Sequence, residues 1–198
     1  VVDHAHEKGI LIIGDMPIYV AHDSMDVWAA PEQFLLDENY NPTLVAGCPP
    51  DFFSADGQLW GNPIYNWNLM KDQGFTWWID RVGCAFRLYD ILRIDHFRGF
   101  AGYYSIPYGE STARNGWWNS APGIELFRTI NEKYPRAKII AEDLGVITDD
   151  VRALLDDGEF PGMKMLHFAF GNDDSEYLPR MFTNKNCVLQ MVVTLLYY

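Results

Sequence analysis

Ile91-Leu92-Arg93-Ile94-Asp95 is a short apolar run that stops on a carboxylate. A run of this length bounded by polar residues reads as a buried strand. Ahead of it, Lys71–Leu88 carries apolar residues at helical spacing (Phe75, Trp78, Ile79, Val82, Phe86), so a helix is expected to feed the strand. The same pattern recurs on both sides. Val1–Lys8 reads as the end of a helix stopped by Gly9, followed by a strand over Ile10–Gly14 that ends at Asp15. Downstream, Pro122–Lys133 reads as a helix and Lys138–Ala141 as a strand ending at Glu142. Thr148 is placed to cap a helix over Asp149–Leu155. Met163–Phe168 and Cys187–Val193 supply a fourth and a fifth strand.

Alternation of strands with crossover helices implies an α/β protein with a parallel sheet. Three successive strands each end in a carboxylate, at Asp15, Asp95 and Glu142. Catalytic residues gathered at the C-terminal ends of different strands are the habit of a TIM (β/α)8 barrel. Four or five strands give a partial barrel, about the third to the sixth or seventh strand unit. A doubly wound sheet is the alternative, but no Gly-rich phosphate loop follows any strand. The stretch from Asp23 to Asn68 breaks the alternation. It is rich in Pro and Gly (Pro31, Pro42, Pro49, Pro50, Pro63, Gly47, Gly57, Gly61) and reads as a long loop over the catalytic face. All 198 residues are expected to form one catalytic-domain segment, with 23–68 as the loop and 189–198 as a divergent end.

Composition narrows the partners. A net charge of −12 without a basic run excludes nucleic acid and anionic membranes as expected partners. No apolar run reaches membrane-spanning length and no signal peptide is visible, which together with three widely spaced cysteines points to a reducing cytoplasm. His4, His6 and His22 lack metal-site spacing, so neither a catalytic metal nor another cofactor is expected. His167 reads as a satisfied core histidine. The seven tryptophans include Trp60 and Trp67, Trp77–Trp78 and Trp117–Trp118. Trp77–Trp78 on a helix reads as core, whereas Trp60 among Gly, Pro and Asn suits the apolar face of a sugar ring.

Retaining glycosidic chemistry needs one carboxylate that stays ionised and one carboxylic acid with a raised pKa. Arg93 and Asp95 fall on the same face of a strand, where a guanidinium favours the carboxylate. Ile139-Ile140-Ala141 gives Glu142 an apolar approach that disfavours its charge. Taken singly, an Arg-x-Asp pair is more often a structural ion pair, and a carboxylate at a strand end more often a loop brace. The combination points to an enzyme.

Four stretches carry a resemblance: Gly14-Asp15-Met16-Pro17-Ile18-Tyr19-Val20; Pro49-Pro50-Asp51-Phe52-Phe53-Ser54 through Gly57-Gln58-Leu59-Trp60-Gly61-Asn62-Pro63; Arg93-Ile94-Asp95-His96-Phe97-Arg98-Gly99-Phe100; and Ala141-Glu142-Asp143-Leu144-Gly145. In this order they resemble the amylomaltases, the bacterial 4-α-glucanotransferases of the α-amylase superfamily. The resemblance implies a TIM-like barrel and retaining transfer of α-1,4-glucan segments between maltooligosaccharides. It implies Asp95 as nucleophile, Glu142 as general acid/base and Arg93 as the partner that orients Asp95. It places His96 and Asp15 at the sugar beside the cleaved bond. It puts the Gly47–Asn62 loop over the donor glucan, with Asp51, Phe53, Gln58 and Trp60 as substrate contacts. The family's third carboxylate, expected in a Thr-His-Asp-Asn segment, has no counterpart in Cys187–Tyr198, so this chain alone is expected to be nearly inactive. The alternatives are an α-glucan hydrolase, the transferase region of a debranching enzyme, or a non-catalytic glucan-binding remnant. Oligomeric state is not legible.

Overall fold

The computed structural model describes residues 1–189 apart from Phe53, Val146, 171–176 and 184–185. Its main sheet is parallel, with β1 (Ile13–Pro17), β4 (Ile91–Asp95), β7 (Ile139–Ala141), β8 (Gly162–Met165) and β9 (Asn186–Leu189) side by side in that order. The helices α1 (Val2–Glu7), α4 (Thr76–Phe86), α5 (Gly123–Lys133) and α6 (Asp149–Gly158) lie between or ahead of these strands in the chain. The α/β reading with a parallel sheet therefore holds.

The first strand departs from expectation. It begins at Ile13 rather than Ile10, and Ile10, Leu11 and Ile13 are exposed instead of buried. Its burial alternates because one face packs on the core, through Met16, and the other does not; the strand runs on to Pro17, so Asp15 lies within it rather than at its end. The helix expected over Lys71–Leu88 is two helices, α3 (Trp67–Asp72) and α4. Gly74 and Phe75 both take positive φ, at 64° and 57°, and break it. Thr148 does precede α6, but its side chain makes no capping bond to the helix backbone. The fourth strand ends at Met165, where a 3-10 turn over Leu166–Phe170 begins. That turn carries His167 to the surface, so the core-histidine reading fails. Of the strand expected over Cys187–Val193, residues 190–193 lie outside the described residues, as does most of the divergent end.

The segment 23–68 is not structureless. It contains α2 (Met25–Ala29), β2 (Leu44–Cys48) and β3 (Gln58–Pro63). These strands join β5 (Gly102–Pro107) and β6 (Trp117–Ser120) in an antiparallel sheet of order β3-β2-β5-β6. Gly47 makes the β2–β3 pairing possible, because a Cβ there would fall 2.1 Å from the Gln58 carbonyl oxygen. Gly57 supplies the turn before β3 at φ 69°, close against the Cys48 carbonyl.

The core joins side chains of the main sheet, of α4, α5 and α6, and of this insertion. Trp78, Tyr65, Phe97, Phe100 and Phe127 are fully buried in one cluster, and Trp67 joins them, as core filling predicts for Trp78. Arg81 of α4 lies over the rings of Trp77 and Trp78 at 5.4 and 4.9 Å. The same guanidinium donates to the carbonyls of Pro17 and Ile18 and to the Tyr65 hydroxyl, and Tyr65 donates to the Ile18 carbonyl at 2.6 Å. The C-terminal end of β1 is thus bolted to both a helix and the insertion.

Candidate active site

The parallel register brings the charged residues together. Asp15 on β1 lies directly across from Arg93 on β4, and Asp95 follows two residues along on the same face. Arg93 accordingly donates through Nη1 to Asp15 at 2.5 Å and through Nη2 to Asp95 at 2.6 Å. Its Nε points to the Met163 sulfur of β8 at 3.2 Å. Burial works against the guanidinium charge, but the hydrogen bond donated to Asp15 and the charge of Asp95 outweigh it and hold Arg93 above its ordinary value.

Glu142 follows β7 directly. Its Oε2 accepts the backbone N–H of His96 and its Oε1 that of Leu144, both at 2.9 Å. Burial pushes its carboxyl up, and the nearby Asp95 charge adds to that. The two backbone donors and Arg93 oppose the rise without cancelling it. An acid at a strand end, more basic than usual and facing a second carboxylate, has the character of a general acid.

His96 links the two carboxylates in sequence and in space. It takes φ 50°, a left-handed conformation uncommon for a residue with a Cβ. That turn aims its ring at Trp60, edge to face at 4.8 Å. Burial, helped by the Arg98 charge, depresses its pKa to about 4, so the ring is neutral near pH 7.

Two connected cavities open here. A cavity of about 240 Å3 is lined by Asp95, His96 and Glu142 with Tyr19, Trp60 and Asn62. A larger cleft of about 970 Å3 shares Trp60, His96 and Glu142 and continues past Asp51, Phe52 and Gln58 toward Trp118 and Asp150. Trp60 is 37 % exposed, and its indole N–H donates to the Gln58 side chain at 3.0 Å. Asp51 accepts the Ser54 N–H at 2.7 Å, closing the turn that carries the exposed Phe52.

Most residues expected at the site therefore meet there. Asp95, Glu142, His96 and Trp60 share the small cavity, Asp51 and Gln58 line the large one, and Asp15 and Arg93 brace the floor. Phe53 lies outside the described residues. Tyr19, Phe52 and Asn62 line the cavities from within the quoted motifs without having been singled out. Arg98 also lines the large cleft from within a quoted motif, whereas Trp118, Asn119 and Ser120 were missed because β5 and β6 were not recognised as a sheet, although the Trp117–Trp118 pair was a visible signal. Among the described residues, no group of three or more His, Cys, Asp or Glu side chains is placed to hold a metal ion. No described helix is long and apolar enough to cross a membrane.

A family profile described as 4-alpha-glucanotransferase matches residues 1–193. A 4-alpha-glucanotransferase of Clostridium butyricum is 54% identical over 188 residues, covering 94% of this chain and 38% of that protein. One from Synechocystis is 53% identical over 189 residues, covering 94% and 37%. Among solved structures, the amylomaltase of Streptococcus agalactiae in complex with acarbose superposes with a TM-score of 0.90 at 48% identity, covering 94% of this chain and 38% of that one. The chain thus spans somewhat over a third of the length of these relatives.

Proposed function

From the membership of this chain in the 4-alpha-glucanotransferase family, we infer that its site moves α-1,4-glucan segments between maltooligosaccharides by retaining double displacement. The observation that carries this reading is the small cavity, which holds Asp95 and Glu142 together with the sugar-facing Trp60. Asp95 attacks the anomeric carbon while Glu142 gives its proton to the leaving oxygen. A glucosyl ester on Asp95 results. In the second half, Glu142 takes the proton of an incoming hydroxyl, which displaces Asp95 and restores the anomeric configuration.

The remaining residues take supporting roles. Arg93 holds Asp95 in line and offsets part of the charge of the Asp15–Asp95 pair. In this reading neutral His96, which lines the small cavity, and the exposed Asp15 contact the sugar beside the cleaved bond. Trp60, fixed by Gln58, offers a ring to the glucan, and the 47–62 segment with Asp51 and Phe52 borders it.

The parallel sheet supports a reading as the central part of a (β/α)8 barrel, with all 198 residues in one catalytic domain and 23–68 as its insertion. Acarbose in the Streptococcus agalactiae amylomaltase supports an α-glucan-like ligand here too. Three free cysteines favour a reducing cytoplasm.

The test exchanges this chain's segment for the matching 188 residues of the Clostridium butyricum relative and assays maltotriose. Longer and shorter maltooligosaccharides are expected. Glucose and maltose alone would favour hydrolysis, and binding without turnover a glucan-binding remnant.

A further inference from the structure

Arg93 directs a third donor at sulfur. Its side chain is 24% exposed, and its Nε donates to the Met163 thioether at 3.2 Å. β8 lies two strands from β4, roughly 9–10 Å at the usual spacing, so the guanidinium reaches across β7 to meet it. Contacts from Nη1 to Asp15 and from Nη2 to Asp95 leave the guanidinium free to swing about the line between them. A third contact, at Nε, fixes its plane. A thioether is a neutral, weak acceptor, so it takes the Nε–H without competing with the two carboxylates for the charge. Met163 is 3% exposed, yet it belongs to neither hydrophobic cluster among the described residues and lines neither of the two cavities.

The residue after Glu142 sets the place of Met163. Asp143 accepts the Met163 N–H through Oδ1 at 2.6 Å. β7 pairs with β8 at Ala141 and Gly162, and the Ala141 N–H donates to the Pro161 carbonyl at 3.0 Å. There β7 ends, and the Asp143 carboxylate takes over as acceptor for β8. Gly162 lets it approach, since a Cβ there would fall 2.2 Å from Asp143 Oδ2.

We propose that Met163 is a positioning residue for the first half of the reaction: its thioether, set in place by Asp143, fixes the plane of the Arg93 guanidinium and through it the line of attack of Asp95. The proposal rests on the glucanotransferase reading. Met163 lines neither cavity, so losing its sulfur slows ester formation and leaves donor binding intact. A misplacement of about 1 Å at a reacting group can cost roughly a hundredfold, and the swing of one guanidinium moves Asp95 by less. A loss of about tenfold in rate, about 1.4 kcal/mol, is expected.

The experiment uses the exchanged full-length enzyme and reads the first-turnover burst of fluoride from α-maltosyl fluoride, which reports ester formation on Asp95. Met163→Leu keeps the volume and removes the acceptor. Its burst rate is expected to fall about tenfold, with the donor concentration for half-maximal burst within twofold of the parent. Met163→Gln returns a neutral acceptor and should recover most of the rate. In an Arg93→Lys background, which has no Nε–H, Met163→Leu should change the burst less than twofold further. A burst within twofold of the parent for Met163→Leu would overturn the proposal. The same tenfold loss in the Arg93→Lys background would overturn it too, since Met163 would then act through packing alone. So would a Met163→Gln variant with the parent's thermal midpoint and the Leu variant's rate. A parent enzyme that neither releases fluoride nor turns over maltotriose would instead sink the glucanotransferase reading, and this proposal with it.

Discussion

The backbone N–H of His96 donates to the carboxylate of Glu142 at 2.9 Å. His96 directly follows Asp95, so one hydrogen bond couples the proposed acid/base to the turn that carries the proposed nucleophile. The carbonyl of Glu142 also accepts the Phe97 N–H, and its own N–H donates to the Ile94 carbonyl. The spacing of the two carboxyl groups is thereby set by backbone pairing between β4 and β7 rather than by side-chain packing alone.

Glu142→Gln should lower maltotriose turnover by about 100- to 10,000-fold, the usual worth of a positioned general acid. With α-maltosyl fluoride the first step needs no proton, so the first-turnover burst of fluoride should fall far less. Comparing that pre-steady-state burst with the first turnover of maltotriose checks this. Equal losses on both would remove Glu142 from proton transfer.

Two titrations act on stability with opposite signs. Glu142 has a raised folded pKa, so the folded state holds the extra proton as pH rises above the ordinary carboxylate value. Stability falls across that window, and Glu142→Gln should remove the fall. His96 is depressed from 6.5 to about 4, so between those values the unfolded state binds more protons. Stability is then lost as pH falls from 6.5 to 4, by up to about 3 kcal/mol, and His96→Gln should flatten that loss. Urea unfolding at pH 4.5, 5.5 and 6.5 separates the two.

Arg93→Met should leave Asp15 and Asp95 adjacent without their shared cation. A turnover loss of about 100-fold on maltotriose is expected from misplacement of the nucleophile, read as kcat beside the parent. Arg93→Lys restores the charge but not the two-pronged geometry, so it should recover only part of that loss.

Trp60→Ala should weaken maltooligosaccharide binding by about 1–3 kcal/mol, the scale of one buried aromatic contact. Calorimetric titration with a catalytically silenced parent reads it directly. Unchanged affinity would assign Trp60 to bracing His96, which it meets edge to face.

The carboxylates of the candidate site were legible in the sequence, and the β6 wall of its larger cleft was not. Asp15, Asp95 and Glu142 each follow an apolar run; burial on a parallel sheet accounts for the runs before Asp95 and Glu142, whereas the run before Asp15 is exposed. The antiparallel sheet escaped notice because β2 and β3 are short, interrupted by glycines and prolines, and paired to β5 far along the chain. Long-range register of that kind leaves little local signal. His167 was misread because strand length, which decided its exposure, is set where the 3-10 turn begins at Leu166.

Asp95 as the covalent nucleophile is the central claim, and trapping the ester tests it most directly. The Glu142→Gln enzyme, treated with α-maltosyl fluoride, should form the ester and resolve it slowly, because no base activates the second step. Acid quenching, proteolysis and mass spectrometry should then find one maltosyl group on the peptide containing Arg93-Ile94-Asp95-His96, fragmenting to Asp95. A label on Asp15 or another residue, or fluoride release with no covalent adduct, would contradict the account.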